Sequence, residues 1–261
     1  MDTAPTTMID DPDISEIRQL PNYEAAYEGS PLVSVCIYTY NRADLLCERA
    51  LPSVLRQTYQ NWEAVIVGDG CTDDTAERIA ALGDERIRFS NREQNGPYST
   101  DPLERSLSAG TFAANEAFAR SRGRWIACQN DDDDWSEDHL AVLLAEAQRT
   151  HAELVYGRMR VAIHGTGEES GFGSWPPSVG NFAFQGAIFH GDLREYRVDI
   201  EAYKQGEPGD WNLARRMIEA GVRFAFLPRD VGTYHLAEGH IHQAWWSEHA
   251  RHQKSGLRSE G

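Results

Sequence analysis

The first half of the chain alternates between short apolar runs and longer segments with helical spacing. The apolar runs are bounded by turn-forming residues and predict buried strands at 32–38, 63–67, 86–90 and 124–128. Apolar residues spaced three or four positions apart predict helices between them, at 43–58, 72–83 and 112–123. Pro52 interrupts the first of these helices, so we expect a kink or a new start there.

The pattern changes after the fourth apolar run. Ser136 is expected to cap a further helix, and strands are predicted at 153–163, 187–189 and 222–227, with a helix at 210–220. Residues 91–108 are polar, contain two X-Pro turns and predict a loop. Residues 165–180, rich in glycine, serine and proline, predict a mobile loop. The whole pattern predicts an α/β fold with a mainly parallel central sheet flanked by helices.

Four consecutive aspartates, Asp131 to Asp134, follow the fourth predicted strand and precede Trp135. Neighbouring carboxylates repel by roughly 1 kcal/mol per pair in water and about 4 kcal/mol near a protein surface. A bound Mg²⁺ or Mn²⁺ ion would relieve that repulsion and bridge to substrate phosphates. Ligands of such sheets bind beyond the carboxyl ends of the strands, where Asp69, after the second strand, is also expected to lie. The alternative is a solvated acidic loop.

The charge, the apolar runs and the cysteines of the chain indicate which classes of binding partner and which cellular location to expect. The net charge is −16 and no basic stripe is present, so neither nucleic acid nor an anionic membrane surface is expected to bind. No apolar run approaches 18 residues, so no integral membrane segment is expected. Residues 1–30 predict an acidic N-terminal extension and not a secretion signal. The four cysteines form no CxxC pair, which favours a reducing, cytoplasmic location.

Five segments in order resemble family 2 glycosyltransferases, which have the GT-A fold. They are Val33-Ser-Val-Cys-Ile-Tyr-Thr-Tyr-Asn-Arg42, residues 50–62, Val65-Ile-Val-Gly-Asp-Gly-Cys-Thr-Asp-Asp-Thr75, residues 125–140 and Gly209-Asp-Trp-Asn-Leu-Ala-Arg-Arg-Met217. Each motif is weak alone, but five in the correct order are specific. The resemblance implies a single Rossmann-like domain over residues 31–235, with a nucleotide-sugar half (31–135) and an acceptor half (136–235), followed by a C-terminal tail (236–261).

The resemblance also implies the residues of a donor site. Asp132 would be the metal ligand, with Asp131 and Asp133 supporting it or contacting the sugar. Asp69 would bind the nucleotide base, although Asp in a Gly-Asp-Gly segment is also a common turn residue. Tyr38, Thr39 and Asn41 would line the base and ribose, or serve packing and turn geometry instead. Asp134 is expected to be dispensable.

Two further positions are implied for chemistry and for the metal. Asp210 would be the general base, with Glu207 as the alternative, although an aspartate in the first turn of a helix also stabilises the helix dipole. His235 would be a metal ligand, in competition with His240 and His242 from the same polar segment. Trp175 and Trp211 would offer aromatic faces to an acceptor sugar or pack in the core.

Three positions depart from the family pattern. Gly68 stands where the family has its first aspartate after the second strand, Asn130 replaces an aspartate at the start of the metal motif, and Gly209 replaces the glutamate beside the base. These departures leave the exact nucleotide contacts open.

The resulting expectation is a metal-dependent inverting glycosyltransferase, using Mn²⁺ or Mg²⁺, that moves a sugar from a nucleotide-diphosphate sugar to an acceptor hydroxyl. One alternative is a sugar-nucleotide nucleotidyltransferase, which the lack of an early glycine-rich basic loop disfavours. Another is a nucleotide-sugar-binding GT-A module that has lost catalysis. The donor sugar, the base, the acceptor and the oligomeric state are left open.

Overall fold

The computed structural model describes residues 9–164 and 169–236 of the chain. Its first four strands are β1 (Val33–Thr39), β2 (Trp62–Gly68), β3 (Ile87–Asn91) and β4 (Trp125–Asn130). They pair in parallel in the order β3-β2-β1-β4. Strands β1, β2 and β4 are buried almost throughout, as continuous apolar runs predict for strands covered on both faces, whereas β3 is half-exposed at the edge of the sheet.

The second half of the sheet is formed by β5 (Asp134–Trp135), β6 (Leu154–Ile163), β7 (Glu169–Phe172), β8 (Ala187–His190) and β9 (Phe224–Leu236). Strand β8 lies between β4 and β6 and runs antiparallel to both, whereas β9 is parallel to β6. Strands β7 and β5 add antiparallel pairs to β6 and β9. The predicted α/β fold with a mainly parallel sheet is confirmed, because β6 and β9 run in the same direction as β1 to β4. The sheet is mixed because β5, β7 and β8 run antiparallel to their neighbours.

The α-helices of the described ranges are α1 (Ile14–Ile17), α2 (Ala43–Leu45), α3 (Leu51–Leu55), α4 (Thr75–Ala81), α5 (Pro102–Ser108), α6 (Thr111–Arg120), α7 (His139–Thr150) and α8 (Gly209–Glu219). Short 3₁₀ turns occur at Glu24–Tyr27, Phe184–Gly186, Gly191–Glu195 and Ala202–Gln205. A wider π turn, Leu46–Ala50, joins α2 to α3 just before Pro52, where the disturbance was expected. None of these helices is long and apolar enough to cross a membrane.

The loop predicted at 91–108 is wrong in its last part, where α5 forms. The Asp101 carboxylate accepts hydrogen bonds from the backbone N–H groups of Leu103 and Glu104, at 2.9 and 3.0 Å. Pro102 occupies the first helical position, where its missing N–H removes no helical bond. The Asp-Pro pair is therefore a helix start and not a turn.

Two other local predictions need correction. The segment 165–180 is not wholly a loop, because β7 pairs with β6 over Met159 to Ala162; residues 165–168 lie outside the described ranges. Ser136 does not cap α7, which begins at His139. The Ser136 hydroxyl instead donates to a carboxylate oxygen of Asp138, at 3.1 Å.

The described part of the acidic segment 1–30 packs against the domain. Ile14, Ile17 and Tyr23 are buried in the common core. Arg18 makes a bidentate ion pair with the fully buried Glu153, at 2.7 and 2.8 Å, and the Tyr23 hydroxyl donates to the same carboxylate at 2.5 Å. The segment thus shares with Arg223, whose guanidinium lies 3.1 Å from the same carboxylate, the task of compensating a buried charge.

Candidate active site

The predicted site residues meet at the carboxyl edge of the parallel strands. In the register of the sheet, Tyr38 lies beside Asn130 and Thr39 lies beside Gly68. The segments that follow β1, β2 and β4 therefore leave the sheet side by side, which brings the loops at 40–42, 69–74 and 131–134 together. This is the position in which open α/β sheets bind their ligands.

Asn41 ties two of these loops together. Its side-chain oxygen accepts a hydrogen bond from the backbone N–H of Thr72 at 2.7 Å, and a longer one from that of Asp73 at 3.3 Å. The backbone of Asn41 has a φ of 51°, a left-handed conformation that asparagine tolerates better than most residues. Asn41 is exposed, and its contacts hold the loop after β1 against the loop after β2.

Asp69 is buried, and its carboxylate is already engaged. One oxygen pairs with the Arg92 guanidinium, and the other accepts a hydrogen bond from the Tyr98 hydroxyl at 2.5 Å. The Tyr98 oxygen in turn accepts a hydrogen bond from the Gly110 backbone N–H, at 3.1 Å, at the start of α6. Asp69 therefore connects the end of β2 to the segment before α6, and it presents Arg92 and Tyr98 beside the site.

Asp131 and Asp132 share one cationic partner. Nη1 of Arg42 lies 3.1 Å from Oδ1 of Asp131 and 2.7 Å from Oδ2 of Asp132. Burial raises the pKa of the Asp131 carboxyl to about 6, although the Arg42 charge opposes that shift. The Arg49 guanidinium also holds the acidic loop in place, because it donates a hydrogen bond to the Asp132 backbone carbonyl oxygen at 2.8 Å. The pair is thus a partly desolvated acidic site with one guanidinium as its countercharge.

Asp133 points away from that pair and into the protein. One oxygen accepts a hydrogen bond from the Asn130 amide at 2.8 Å, and the other from the His235 backbone N–H at 2.9 Å. The residue is fully buried, and burial raises the pKa of its carboxyl well above the usual range. Asn130, a departure from the family pattern, therefore serves here as a hydrogen-bond donor to Asp133.

Asp134 pairs with His235, the predicted metal ligand. Nε2 of His235 lies 2.5 Å from an Asp134 oxygen, and its Nδ1 lies 3.0 Å from Nε2 of His164. Both ring nitrogens therefore have partners, so His235 would have to leave one of them to bind an ion. His240 and His242, the competing candidates, lie outside the described residues.

The acidic pair fits a divalent cation that is shared with substrate. Within the described ranges, no three His, Cys, Asp or Glu side chains converge as a complete metal site. However, oxygens of Asp131 and Asp132 face one Arg42 nitrogen, and Asp131 is buried with its pKa raised, as expected for a carboxylate short of positive charge. Mg²⁺ commonly takes only one or two carboxylates, with water and substrate phosphates as its other ligands.

Asp210 stands in the first turn of α8, at the wall of a cleft of about 670 Å³ that Tyr38, Asn130 and Tyr234 also line. Its carboxylate accepts a hydrogen bond from the Trp211 backbone N–H at 2.7 Å, and its place in the first turn of α8 is the one that the helix-dipole alternative requires. Burial raises the pKa of the Asp210 carboxyl above its usual value. A raised pKa makes this carboxylate a stronger base than an exposed aspartate.

Glu207, the alternative base, is held in an ion pair. The Arg215 guanidinium contacts both of its oxygens, at 2.9 and 2.8 Å, and the Asn212 amide donates to one of them at 2.8 Å. The hydrogen bond from Arg215 is the main cause of a lowered pKa. Glu207 is not among the residues that line the cleft. Its contacts therefore favour Asp210 as the base.

Sequence reasoning missed three residues of this site, namely Arg42, Arg92 and Tyr98. The only available signal for Arg42 was its position, as a lone cation after β1 in a strongly acidic chain. Arg92 and Tyr98 lie in a segment without periodicity, so nothing in the pattern linked them to Asp69. Trp211 is partly buried against the core, and Trp175 is exposed.

Known proteins resemble this chain in sequence. The model of Glycosyl transferase family 2 matches residues 34–100 and 109–192, more than half of the chain. The putative colanic acid biosynthesis glycosyl transferase WcaA of Escherichia coli K12 is 35% identical over 131 residues, 49% of this chain and 42% of WcaA. The succinoglycan biosynthesis protein ExoO of Rhizobium meliloti is 27% identical over 246 residues, 86% of this chain and 66% of ExoO. The chain thus spans between two fifths and two thirds of the length of these two relatives.

Solved structures agree on the fold. TarS 1–349 of S. aureus in complex with UDP superposes with a TM-score of 0.63 at 16% identity, covering 78% of this chain and 60% of that TarS fragment. The mannosyltransferase PcManGT of Pyrobaculum calidifontis, in complex with GDP-Man and Mn²⁺, gives a TM-score of 0.59 at 18% identity, covering 92% and 71%. These likenesses confirm the GT-A fold that the sequence motifs implied. Together with the family match, they show that the chain belongs to glycosyl transferase family 2.

Proposed function

We propose that this protein transfers a sugar from a nucleotide-diphosphate sugar to an acceptor hydroxyl, with inversion at the anomeric carbon. The donor would lie in the half formed by residues 31–135, and the acceptor in the half formed by 136–235. Mn²⁺ or Mg²⁺ would be the cofactor. All four cysteines are free, which supports a reducing compartment such as the cytoplasm.

One arrangement carries this proposal, namely the position of Asp210 relative to the acidic pair. Tyr38 and Asn130 line the same cleft as Asp210 and lie beside each other in the sheet. Asn130 directly precedes the acidic pair in the chain, so the pair leaves the sheet next to this cleft. A donor held at the acidic pair would place its sugar beside the cleft, where Asp210 faces an acceptor.

The charge of the donor requires compensation in a chain with a net charge of −16. Asp132, with Asp131, would hold the metal ion, and His235 would join only if it left Asp134. A divalent ion bound there would neutralise charge on the leaving diphosphate. Arg42 already contacts both carboxylates and would supply further positive charge at this end of the site. The UDP, GDP-Man and Mn²⁺ complexes of the structural relatives support a donor of this class.

Asp210 would accept the proton of the attacking hydroxyl. An ordinary aspartate, with a pKa near 3.9, is a weak base, so the raised pKa of Asp210 increases its share of the proton in the transition state. A single carboxylate opposite the leaving group suits direct displacement, which inverts the anomeric carbon. The apolar walls of the cleft would keep water away from the donor.

The test compares Asp210→Asn with the matched variant Glu207→Gln. Release of nucleoside diphosphate is measured with a panel of nucleotide sugars, Mn²⁺ and sugar acceptors, and nucleotide affinity is measured by calorimetry. Asp210→Asn should lose about 100-fold or more in turnover while its nucleotide affinity is kept, and Glu207→Gln should stay near the parent rate. Near-normal turnover of Asp210→Asn would refute the base. In a separate assay, release of pyrophosphate from a nucleoside triphosphate and a sugar 1-phosphate would indicate a nucleotidyltransferase.

The metal assignment has its own test. Calorimetric titration of Asp132→Ala with a nucleoside diphosphate in Mn²⁺ should show weaker binding than the parent, because the main ligand is lost. Asp134→Ala is the matched control, since Asp134 contacts His235 and not Arg42. Equal affinity of Asp132→Ala and the parent would refute the ligand role.

A further inference from the structure

The cleft beside Asp210 is largely apolar away from its catalytic end. Its polar groups include Asn130 and Asp210, whereas its walls are formed mainly by aliphatic and aromatic residues such as Leu107, Phe172 and Phe182. No lysine or arginine of the described residues lines it. Its volume of about 670 Å³ lies within the range of sites for drug-sized molecules.

The rim of the cleft exposes apolar side chains to solvent. Leu103 is 56% exposed and Val179 is 57% exposed, and both line the cleft. Together with Trp175, at 59%, they are the three most exposed large hydrophobic residues of the described chain. Leu103 belongs to α5 and Val179 to the segment after β7, so two separate elements present apolar surface to one opening. Such a concentration marks a ligand groove more often than chance exposure.

The negative charge in and beside the cleft disfavours an anionic ligand. The cleft wall carries the Asp210 carboxylate, and Asn130, which directly precedes the acidic pair in the chain, also lines it. An anionic group held there would meet these carboxylates and no cationic side chain of the described lining. A neutral body with apolar surface would instead remove Leu103 and Val179 from water.

We propose that the acceptor carries a neutral apolar body, such as an alkyl or aryl aglycone, next to the hydroxyl that is glycosylated. The hydroxyl points to Asp210, and the apolar body leaves the cleft between Leu103 and Val179. The inference rests on the proposed function, because that function makes the cleft the acceptor site.

The experiment measures binding of acceptor analogues to the full chain by calorimetry, without a donor. The probes are a panel of monosaccharides, and each sugar is compared as its methyl, hexyl and 5-carboxypentyl glycoside. All probes are used below their critical micelle concentrations. We expect hexyl glycosides to bind at least about tenfold more tightly than methyl glycosides, since burial of two methylenes already yields that factor. The 5-carboxypentyl glycosides should lose most of this gain.

Substitutions at the rim of the cleft test whether the apolar body of the acceptor binds there. Leu103→Asn with Val179→Asn should weaken hexyl binding about tenfold and leave methyl binding unchanged, and both positions are exposed enough to keep the fold. Leu82→Asn is the matched control, since Leu82 is 39% exposed and lies outside the cleft. Equal binding of methyl and hexyl glycosides, preference for the carboxylate, or an unaffected double variant would overturn the inference. Calorimetry needs no turnover, so loss of transfer alone would refute the proposed function and leave this preference intact.

Discussion

His139 should make folding stability depend on pH in a way that one substitution removes. The imidazole is fully buried, stacks on Trp135 with ring centres 3.9 Å apart, and lies 2.8 Å from the Val231 carbonyl oxygen through Nδ1. Its Nε2 has no hydrogen-bond partner among the described residues. Burial lowers the pKa of His139 from 6.5 to about 3. These contacts fix the start of α7 directly behind the acidic loop.

The expected magnitude follows from that shift. Because the folded-state pKa lies below the unfolded value, the unfolded chain binds more protons between pH 6.5 and pH 3, and stability falls as the pH falls through that window. A pH of 5 lies 1.5 units below the pKa of 6.5 that the imidazole has in the unfolded chain. Protonation of the unfolded imidazole therefore favours unfolding by about 2 kcal/mol at this pH. The same term is close to zero at pH 7. The raised pKa of Asp131 acts in the opposite direction, so the comparison must use a variant.

His139→Phe removes the titrating group and keeps a flat ring against Trp135. The Val231 carbonyl oxygen keeps its hydrogen bond from the Ser136 backbone N–H, at 3.1 Å, so the variant leaves no buried acceptor without a partner. Urea unfolding at pH 7 and pH 5 should show the parent losing about 2 kcal/mol more than the variant, or roughly 4–8 °C in Tm. His151→Asn, at an exposed histidine, is the control and should follow the parent. Equal losses in parent and His139→Phe would refute the reasoning.

Three further perturbations test other parts of the structure. Glu63→Ala should lower the free energy of unfolding by about 3 kcal/mol in urea titrations, because this buried carboxylate binds two arginines and a serine around β1 and β3; a loss below about 1 kcal/mol would contradict that network. Tyr98→Phe should weaken nucleotide binding about fivefold in calorimetry, since Asp69 loses one of its two partners; unchanged affinity would reject the positioning role. Arg42→Gln should tighten Mn²⁺ binding without nucleotide by about fivefold, because the guanidinium no longer competes for the two carboxylates; weaker Mn²⁺ binding would contradict this competition.

The strands could be predicted because burial leaves a continuous signal in the sequence. Every residue of β2 is buried, and only Tyr38 of β1 is not. Such runs end where the chain reaches solvent, so their carboxyl ends, and the loops of the site, could also be placed. The helix α5 could not, because it is short, has little periodicity and begins with an Asp-Pro pair that is equally typical of turns.

The partners of the site residues could not be predicted, because they join distant parts of the chain. Arg42 and Asp131 are 89 positions apart, and Arg18 and Glu153 are 135 apart. Spacing along the sequence contains no information on such pairs, since the sheet brings together elements that are far apart in order. For the same reason the sequence indicated that Asp69 was important but not that its carboxylate was fully engaged.

The acidic cluster shows how the fold separates four adjacent charges. Asp133 turns inward to the Asn130 amide, and Asp134 turns to His235, so each leaves the common face through its own hydrogen bonds. Only Asp131 and Asp132 stay together, and their shared partner, Arg42, has a side chain that is 46% exposed. A half-exposed guanidinium is a weaker countercharge than a buried one, because water screens it. In the folded chain the four charges are thus not equivalent: Asp131 and Asp132 share one partly exposed countercharge, and after burial their charges are a further cause of the raised pKa of the Asp133 carboxyl.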